Sequence, residues 1–70
     1  MSFETEVITL INPLLYSGRP EFVYGTLFLE NASTQVGTNV FNALVEKYGR
    51  NKISINTYSP ANGFSYDFVA

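Results

Sequence analysis

The chain has 70 residues, of which 46% are hydrophobic and only 14% charged, and its formal net charge is −2. A chain this short forms one domain with a small core, and we expect residues 1–70 to be one compact domain. The acidic balance argues against direct nucleic-acid binding, which needs a basic surface. Cysteine and histidine are absent, which excludes disulfides and argues against the usual metal sites.

No apolar run approaches the roughly 20 residues that span a bilayer, so we expect no membrane contact. The N-terminal sequence also lacks the basic start and the small-residue cleavage site of a signal peptide. These features predict a cytoplasmic protein. The chain shows no linker, internal repeat or low-complexity tract.

The first predicted element is a strand over Phe3–Ile11, where β-branched residues are frequent and polar residues partly alternate with apolar ones. Glu4 and Glu6 share one face of this strand. The simplest interpretation is a charged strand end that protects a sheet edge from mispairing. Pro13 then ends the strand, because proline cannot donate to a ladder.

The connection that follows contains an apolar cluster at residues 14–16. Gly18 and Pro20 near its end are typical of a loop. Two interpretations remain open for the cluster. It either folds back over the sheet edge or forms an exposed apolar lip for a partner.

Residues 21–30 predict a second strand that is apolar on both faces. Phe22, Tyr24 and Phe28 share one face, and Val23, Leu27 and Leu29 share the other. A strand of this kind is typically central in its sheet. Gly25 in its middle suggests a bulge.

One helix is predicted over residues 40–48, where apolar residues recur at helical spacing. These residues are Phe41, Leu44, Val45 and Tyr48. Its start is open, because Ser33, Thr34 and Thr38 are all candidate N-caps. Its end is predicted at Gly49, since glycine readily takes the positive φ that follows a helix.

The clearest element is a β-hairpin formed by residues 52–58 and 64–69, in which apolar and polar residues alternate with period two. Residues 59–63 carry the proline, asparagine and glycine of a turn. The aromatic row of the last strand consists of Phe64, Tyr66 and Phe68. The fold class is therefore predicted as α+β, in the order β-β-α-β-β, with one helix on one face of a four-stranded, largely antiparallel sheet.

Catalytic equipment is sparse in this sequence. The commonest acid–base and nucleophilic side chains, histidine and cysteine, are missing. A serine nucleophile would need Lys47 or Lys52 as its base, and neither lies in the apolar setting that produces a reactive lysine. No glycine-rich phosphate loop is present. We therefore predict a protein that is not an enzyme and that holds no metal or cofactor.

The chain contains five tyrosines and six phenylalanines, more than one helix on one face of a sheet can cover. Core packing explains at least one aromatic row, and a protein interface explains a second, because interfaces favour tyrosine and phenylalanine. The surface is also predicted to be acidic. The predicted partner-binding residues are Tyr16, Phe22, Tyr24, Phe28, Tyr58, Tyr66, Glu4 and Glu6.

These features favour a small protein-binding module whose partner is another protein, a second copy of itself, or both. By analogy with compact, acidic, cysteine-free proteins of viruses and mobile elements, the partner would be a host enzyme or defence complex that the chain inhibits in the host cytoplasm. A second hypothesis is a homo-oligomer that sequesters a nucleotide, with Arg19, Lys47, Arg50 or Lys52 on the phosphate and a tyrosine on the base. A third is a structural subunit of a larger assembly.

Overall fold

The computed structural model describes residues 2–58 and 63–69. Two α-helices and four strands form there, besides two single-turn 3-10 helices: α1 Phe3–Ile11, β1 Arg19–Val23, β2 Thr26–Glu30, α2 Thr34–Tyr48, β3 Ile53–Tyr58 and β4 Gly63–Phe68. The strands make one antiparallel sheet in the order β1-β2-β4-β3. The α+β class and the four-stranded antiparallel sheet are confirmed, whereas the single helix and the predicted element order are wrong. In these ranges neither helix has the length and hydropathy that crossing a bilayer requires.

The prediction of a strand over Phe3–Ile11 is wrong, because this segment is α1. The Ser2 hydroxyl accepts a hydrogen bond from the Thr5 backbone N–H at 3.1 Å and so caps the first turn. Val7 and Ile11 lie four residues apart, on the same face of a helix, and both are fully buried. Thr9, which a strand would place on the same face as Val7 and Ile11, is exposed. The pattern of burial therefore follows the helical spacing and not the strand-like alternation.

The predicted strand over residues 21–30 is instead a hairpin, β1 and β2, joined at Tyr24 and Gly25. The backbone φ is 51° at Tyr24 and 80° at Gly25, and two positive values are typical of a type I′ turn. Gly25 therefore reverses the chain and is not a bulge. The reversal also breaks the predicted aromatic row, because it places Phe22 and Phe28 on opposite faces of the sheet.

The start of helix α2, which the sequence leaves open, is at Thr34. The Ser33 hydroxyl accepts the Val36 backbone N–H at 3.2 Å, which selects Ser33 among the three candidate N-caps. The predicted end is confirmed, since the helix stops at Tyr48 and Gly49 follows with a φ of 102°.

Both helices contribute to a core on one face of the sheet, so the molecule has two layers. Its fully buried side chains are Val7, Ile11, Leu27, Leu29, Val36, Val40, Leu44 and Tyr66. In the register of the sheet, Leu27 lies between Phe22 and Tyr66, and Tyr66 lies between Leu27 and Ile55. These cross-strand neighbours form a continuous apolar layer beneath the helices.

Helix α2 meets the sheet at a glycine. The Tyr66 hydroxyl donates a hydrogen bond to the Gly37 carbonyl at 2.9 Å in the core, and burial raises the pKa of Tyr66. The Phe64 ring packs directly against Gly37, in the space that a Cβ atom would occupy. Tyr66, predicted to contact a partner, is 0% exposed and belongs to the core.

Replacing Gly37 by alanine tests this close packing. At an exposed helical position Gly→Ala stabilises by about 1 kcal/mol, but here the added methyl group meets the Phe64 ring. Overpacking of this kind costs about 1–3 kcal/mol, so we expect Gly37→Ala to lower the free energy of unfolding in urea. Thr38→Ala, on the exposed side of α2, is the matched control and should leave stability unchanged or slightly raised. A Gly37→Ala protein more stable than wild type would contradict this packing.

The β1–β2 turn gives a second test. A type I′ turn favours asparagine at its first central position, because asparagine tolerates positive φ better than tyrosine does. The Tyr24 side chain is 103% exposed and makes no compensating buried contact. We therefore expect Tyr24→Asn to stabilise the fold by about 0.5–1 kcal/mol, measured by urea unfolding. Loss of stability would show that the Tyr24 ring contributes to the fold.

Candidate binding surface

The helices pack on one sheet face, and we call the opposite sheet face the open face. It presents every second side chain of the four strands. Its aromatic residues are Phe28 and Tyr58, and its carboxylates belong to Glu21, Glu30 and Asp67. These five residues are all exposed or half-buried. The open face is therefore a mixed aromatic and acidic surface.

The two aromatic rings of the open face touch although β4 separates their strands. The ring centroids of Phe28 and Tyr58 lie 5.3 Å apart with an interplanar angle of 88°, an edge-to-face contact. Gly63, opposite Tyr58 in the ladder, makes the contact possible. A Cβ atom at Gly63 would lie 2.9 Å from the Tyr58 hydroxyl oxygen, so only glycine leaves room for the ring to cross β4.

The surroundings of Tyr58 are acidic and partly desolvated. Burial raises the pKa of Tyr58, and the negative charges of Glu30 and then Glu21 raise it further. The hydroxyl oxygen is shielded from solvent and has no hydrogen-bond partner among the residues described. Tyr58 therefore stays neutral at physiological pH.

Asp67 lies on the same face and is held by a neighbouring strand. The Thr26 hydroxyl donates a hydrogen bond to Asp67 Oδ1 at 2.9 Å. Arg19 is the basic residue of the open face and lies opposite Glu30, at the end of β1. Three carboxylates and one guanidinium give this face a net charge of −2.

Two predicted partner-binding residues, Phe28 and Tyr58, thus lie together on the open face. Tyr24 lies at the tip of the β1–β2 turn, and Tyr16 is 70% exposed in the connection after α1. The predicted apolar lip is only partly exposed, because Leu14 and Leu15 pack against the core. Tyr16 and Tyr24 are accessible but do not belong to the aromatic pair.

Phe22 is not part of the open face, because it lies on the helix side of the sheet. Its ring packs against Phe3 at 6.5 Å and stacks on Phe68 at 6.0 Å. Phe3 is 45% exposed and also contacts the Tyr48 ring at 5.5 Å. These rings extend the core at one end of the helix layer, so we interpret Phe22 as a packing residue.

Glu4 and Glu6 lie in the first turn of α1, not on a strand. Carboxylates there interact favourably with the positive end of the helix dipole. Glu6 also accepts a 2.6 Å hydrogen bond from the Tyr48 hydroxyl. Local roles in the helix layer explain both residues, and neither lies with the carboxylates of the open face.

Glu21 and Glu30, the glutamates of the open face, are not among the partner-binding residues predicted from the sequence. The ladder places Glu21 directly opposite Phe28, a pairing that the local pattern of residues 21–30 does not indicate. The reason is the turn at Tyr24 and Gly25, where the sequence pattern predicts one continuous strand. Once that turn is recognised, counting outward from it places Glu21, Phe28 and Glu30 on one face.

The four basic residues proposed for a nucleotide site do not all lie in one part of the molecule. Arg50 places its guanidinium over the Phe41 ring, 5.8 Å from the ring centroid. Lys52 directly precedes β3, whereas Arg19 is in β1, and these two strands are opposite edges of the sheet. This arrangement offers no shared phosphate site to Arg19 and Lys52.

In the described ranges, no group of three or more acidic, cysteine or histidine side chains could hold a metal ion. Comparisons of the chain with protein-family models, curated proteins and solved structures found no match. The function is therefore inferred from the geometry of the open face.

The folding stability is expected to fall at alkaline pH, because Tyr48 is partly buried and its hydroxyl donates a hydrogen bond to Glu6. Burial raises the pKa of Tyr48 to about 12, and the hydrogen bond and charge of Glu6 contribute to the rise. In the unfolded chain a tyrosine titrates near 10, so this stabilisation is complete below pH 10 and is lost as pH rises through about 12.

This effect is measured as the free energy of urea unfolding of wild type and Tyr48→Phe, at one pH below and one pH above the tyrosine pKa of the unfolded chain. The free-energy difference between the two proteins should be larger at about pH 9 than at about pH 11. Other buried tyrosines contribute equally to both proteins and cancel in the comparison. A difference that does not change with pH would contradict the assigned hydrogen bond.

Proposed function

We propose that this chain is a small, non-enzymatic protein-binding module that uses the open face to dock on a basic surface of another protein. One observation carries the proposal: the Phe28–Tyr58 pair lies beside Glu21 and Glu30 on a sheet face that the helices leave uncovered. Aromatic anchors within a polar rim are typical of interface hot spots.

The charge of the open face supports the choice of a basic partner. Carboxylates around an aromatic pair attract a surface rich in lysine and arginine and speed its association. They also disfavour acidic partners, including nucleic acid itself. The binding interpretation is preferred to catalysis because the chain lacks histidine and cysteine.

The narrower form of the proposal is inhibition of a host enzyme or defence complex in the cytoplasm. Enzymes that act on nucleic acids hold phosphates in basic grooves. A small acidic face with an aromatic centre can occupy such a groove in place of the substrate. The shared chemistry of carboxylates and phosphates supports this form, together with the composition of the chain.

Affinity capture from the native host, followed by titration of the purified partner, tests the proposal. The open-face variant carries Glu21→Gln, Glu30→Gln and Asp67→Asn, which remove charge and keep side-chain size. We expect its Kd for the partner to rise at least about tenfold, equivalent to about 1.4 kcal/mol. Wild-type binding should also weaken as salt is raised.

The matched control carries Glu4→Gln and Glu46→Gln on the two helices, where we expect no effect on Kd. Phe28→Ala provides a separate test of the aromatic centre, with circular dichroism to confirm that it folds. Equal partner affinity for the open-face variant and wild type would refute this docking face. If the Glu4→Gln, Glu46→Gln control instead loses affinity for the partner, the binding site lies on the helix layer and not on the open face.

A further inference from the structure

One edge of the sheet, β3, has backbone groups available for pairing. At its start the Val69 backbone N–H donates to the Lys52 carbonyl at 2.9 Å. In an antiparallel ladder, residues alternate between pointing their backbone groups toward the neighbouring strand and away from it. Ile53, Ile55 and Thr57 therefore direct their N–H and C=O groups away from β4, out of the sheet edge.

The opposite edge, β1, is protected. Val23 and Thr26 flank the two-residue turn and so form a hydrogen-bonded pair. By the same alternation, Pro20 and Phe22 are the residues of β1 whose backbone groups point away from β2. Pro20 has no N–H to offer, and the residues on both sides of it are charged. Proline and charge are the usual protection of an edge strand. By contrast, β3 contains no proline and no charged residue.

We propose that β3 is a docking site for β3 of a second copy of this chain, paired antiparallel across a two-fold axis at Ile55. In that register Ile55 lies opposite Ile55 of the copy, and Ile53 lies opposite Thr57 of the copy. Ile53, Ile55 and Thr57 of each chain, whose backbone N–H and C=O groups point out of the sheet edge, then all form hydrogen-bonded pairs with the copy. The two sheets become one continuous sheet with the helices of both copies on the same side.

The sequence of β3 fits a second copy because the strand is complementary to itself. The two-fold register brings half-buried Ile55 against its equivalent on the helix side of the sheet. On the open face it brings Ser54 opposite Asn56 of the copy, so that no like charges meet. A chain of this length has a small core, and association with another subunit is a common supplement to stability.

Sedimentation velocity at increasing protein concentration tests the pairing. A single strand pairing is a small interface, so the series should extend to about 1 mM. We expect wild type to shift from monomer to dimer across this range. A wild-type chain that remains a monomer throughout, or that pairs only with a foreign extended peptide, would overturn the proposal.

Two variants at one position identify the edge. Thr57→Pro removes an outward N–H without removing a hydrogen bond to β4, and we expect it to weaken dimerisation at least tenfold. Thr57→Val keeps the N–H and should dimerise like wild type. Circular dichroism checks that both fold. A folded Thr57→Pro chain that dimerises as well as wild type would exclude β3 as the interface.

Charge variants give a test of the register that does not depend on proline being tolerated. One chain carries Ser54→Lys and Asn56→Lys, and another carries Ser54→Glu and Asn56→Glu, all at exposed positions. Each should remain monomeric alone, because like charges face each other across the axis, and an equimolar mixture should form a heterodimer. A mixture that stays monomeric, or single variants that dimerise, would overturn the proposed register.

Discussion

The hydroxyl of Tyr66 imposes the constraint on which the rest of this structure depends. It lies in the core, where a buried hydroxyl without a partner would cost about 1–3 kcal/mol. The Gly37 carbonyl, 2.9 Å away, supplies that partner. Because Gly37 has no side chain, α2 also approaches the Phe64 ring closely. The crossing point of α2 over β4 is therefore determined by one hydrogen bond and one glycine.

Coverage of one sheet face decides what the other face presents. Successive side chains of a strand point to opposite faces of the sheet. Because Leu27, Leu29 and Tyr66 are buried beneath the helices, the side chains that alternate with them lie on the open face. Phe28 and Tyr58 meet on that outward face because Gly63 lets one ring cross β4. The resulting surface is neither a solvated polar face nor an apolar core. This mixed character is the observation from which we propose a docking role for the open face.

Local sequence was ambiguous where two periodicities fit equally well. Over Phe3–Ile11, β-branched residues favour a strand, yet Ser2 caps a helix there and Val7 and Ile11 share its buried face. The pattern of residues 21–30 fits one long strand or two short ones, and the positive φ at Tyr24 shows that the chain reverses. In both segments contacts with distant residues decided between alternatives that nearly balance locally.

The sequence alone determined the α+β class, the two paired strands of the final hairpin and the C-terminal half of α2, because strong short-range periodicity specifies such elements. Residues 59–62 of the predicted turn lie outside the described residues. It also named Phe28 and Tyr58 as partner-binding candidates, but not their neighbours. The tertiary structure decided that Tyr66 is core, that Glu21 lies beside Phe28, and that β3 is an unprotected edge. Strand order and register determine which face a residue lies on, which residues are its neighbours and which strand forms the edge. Both depend on contacts between residues far apart in the chain.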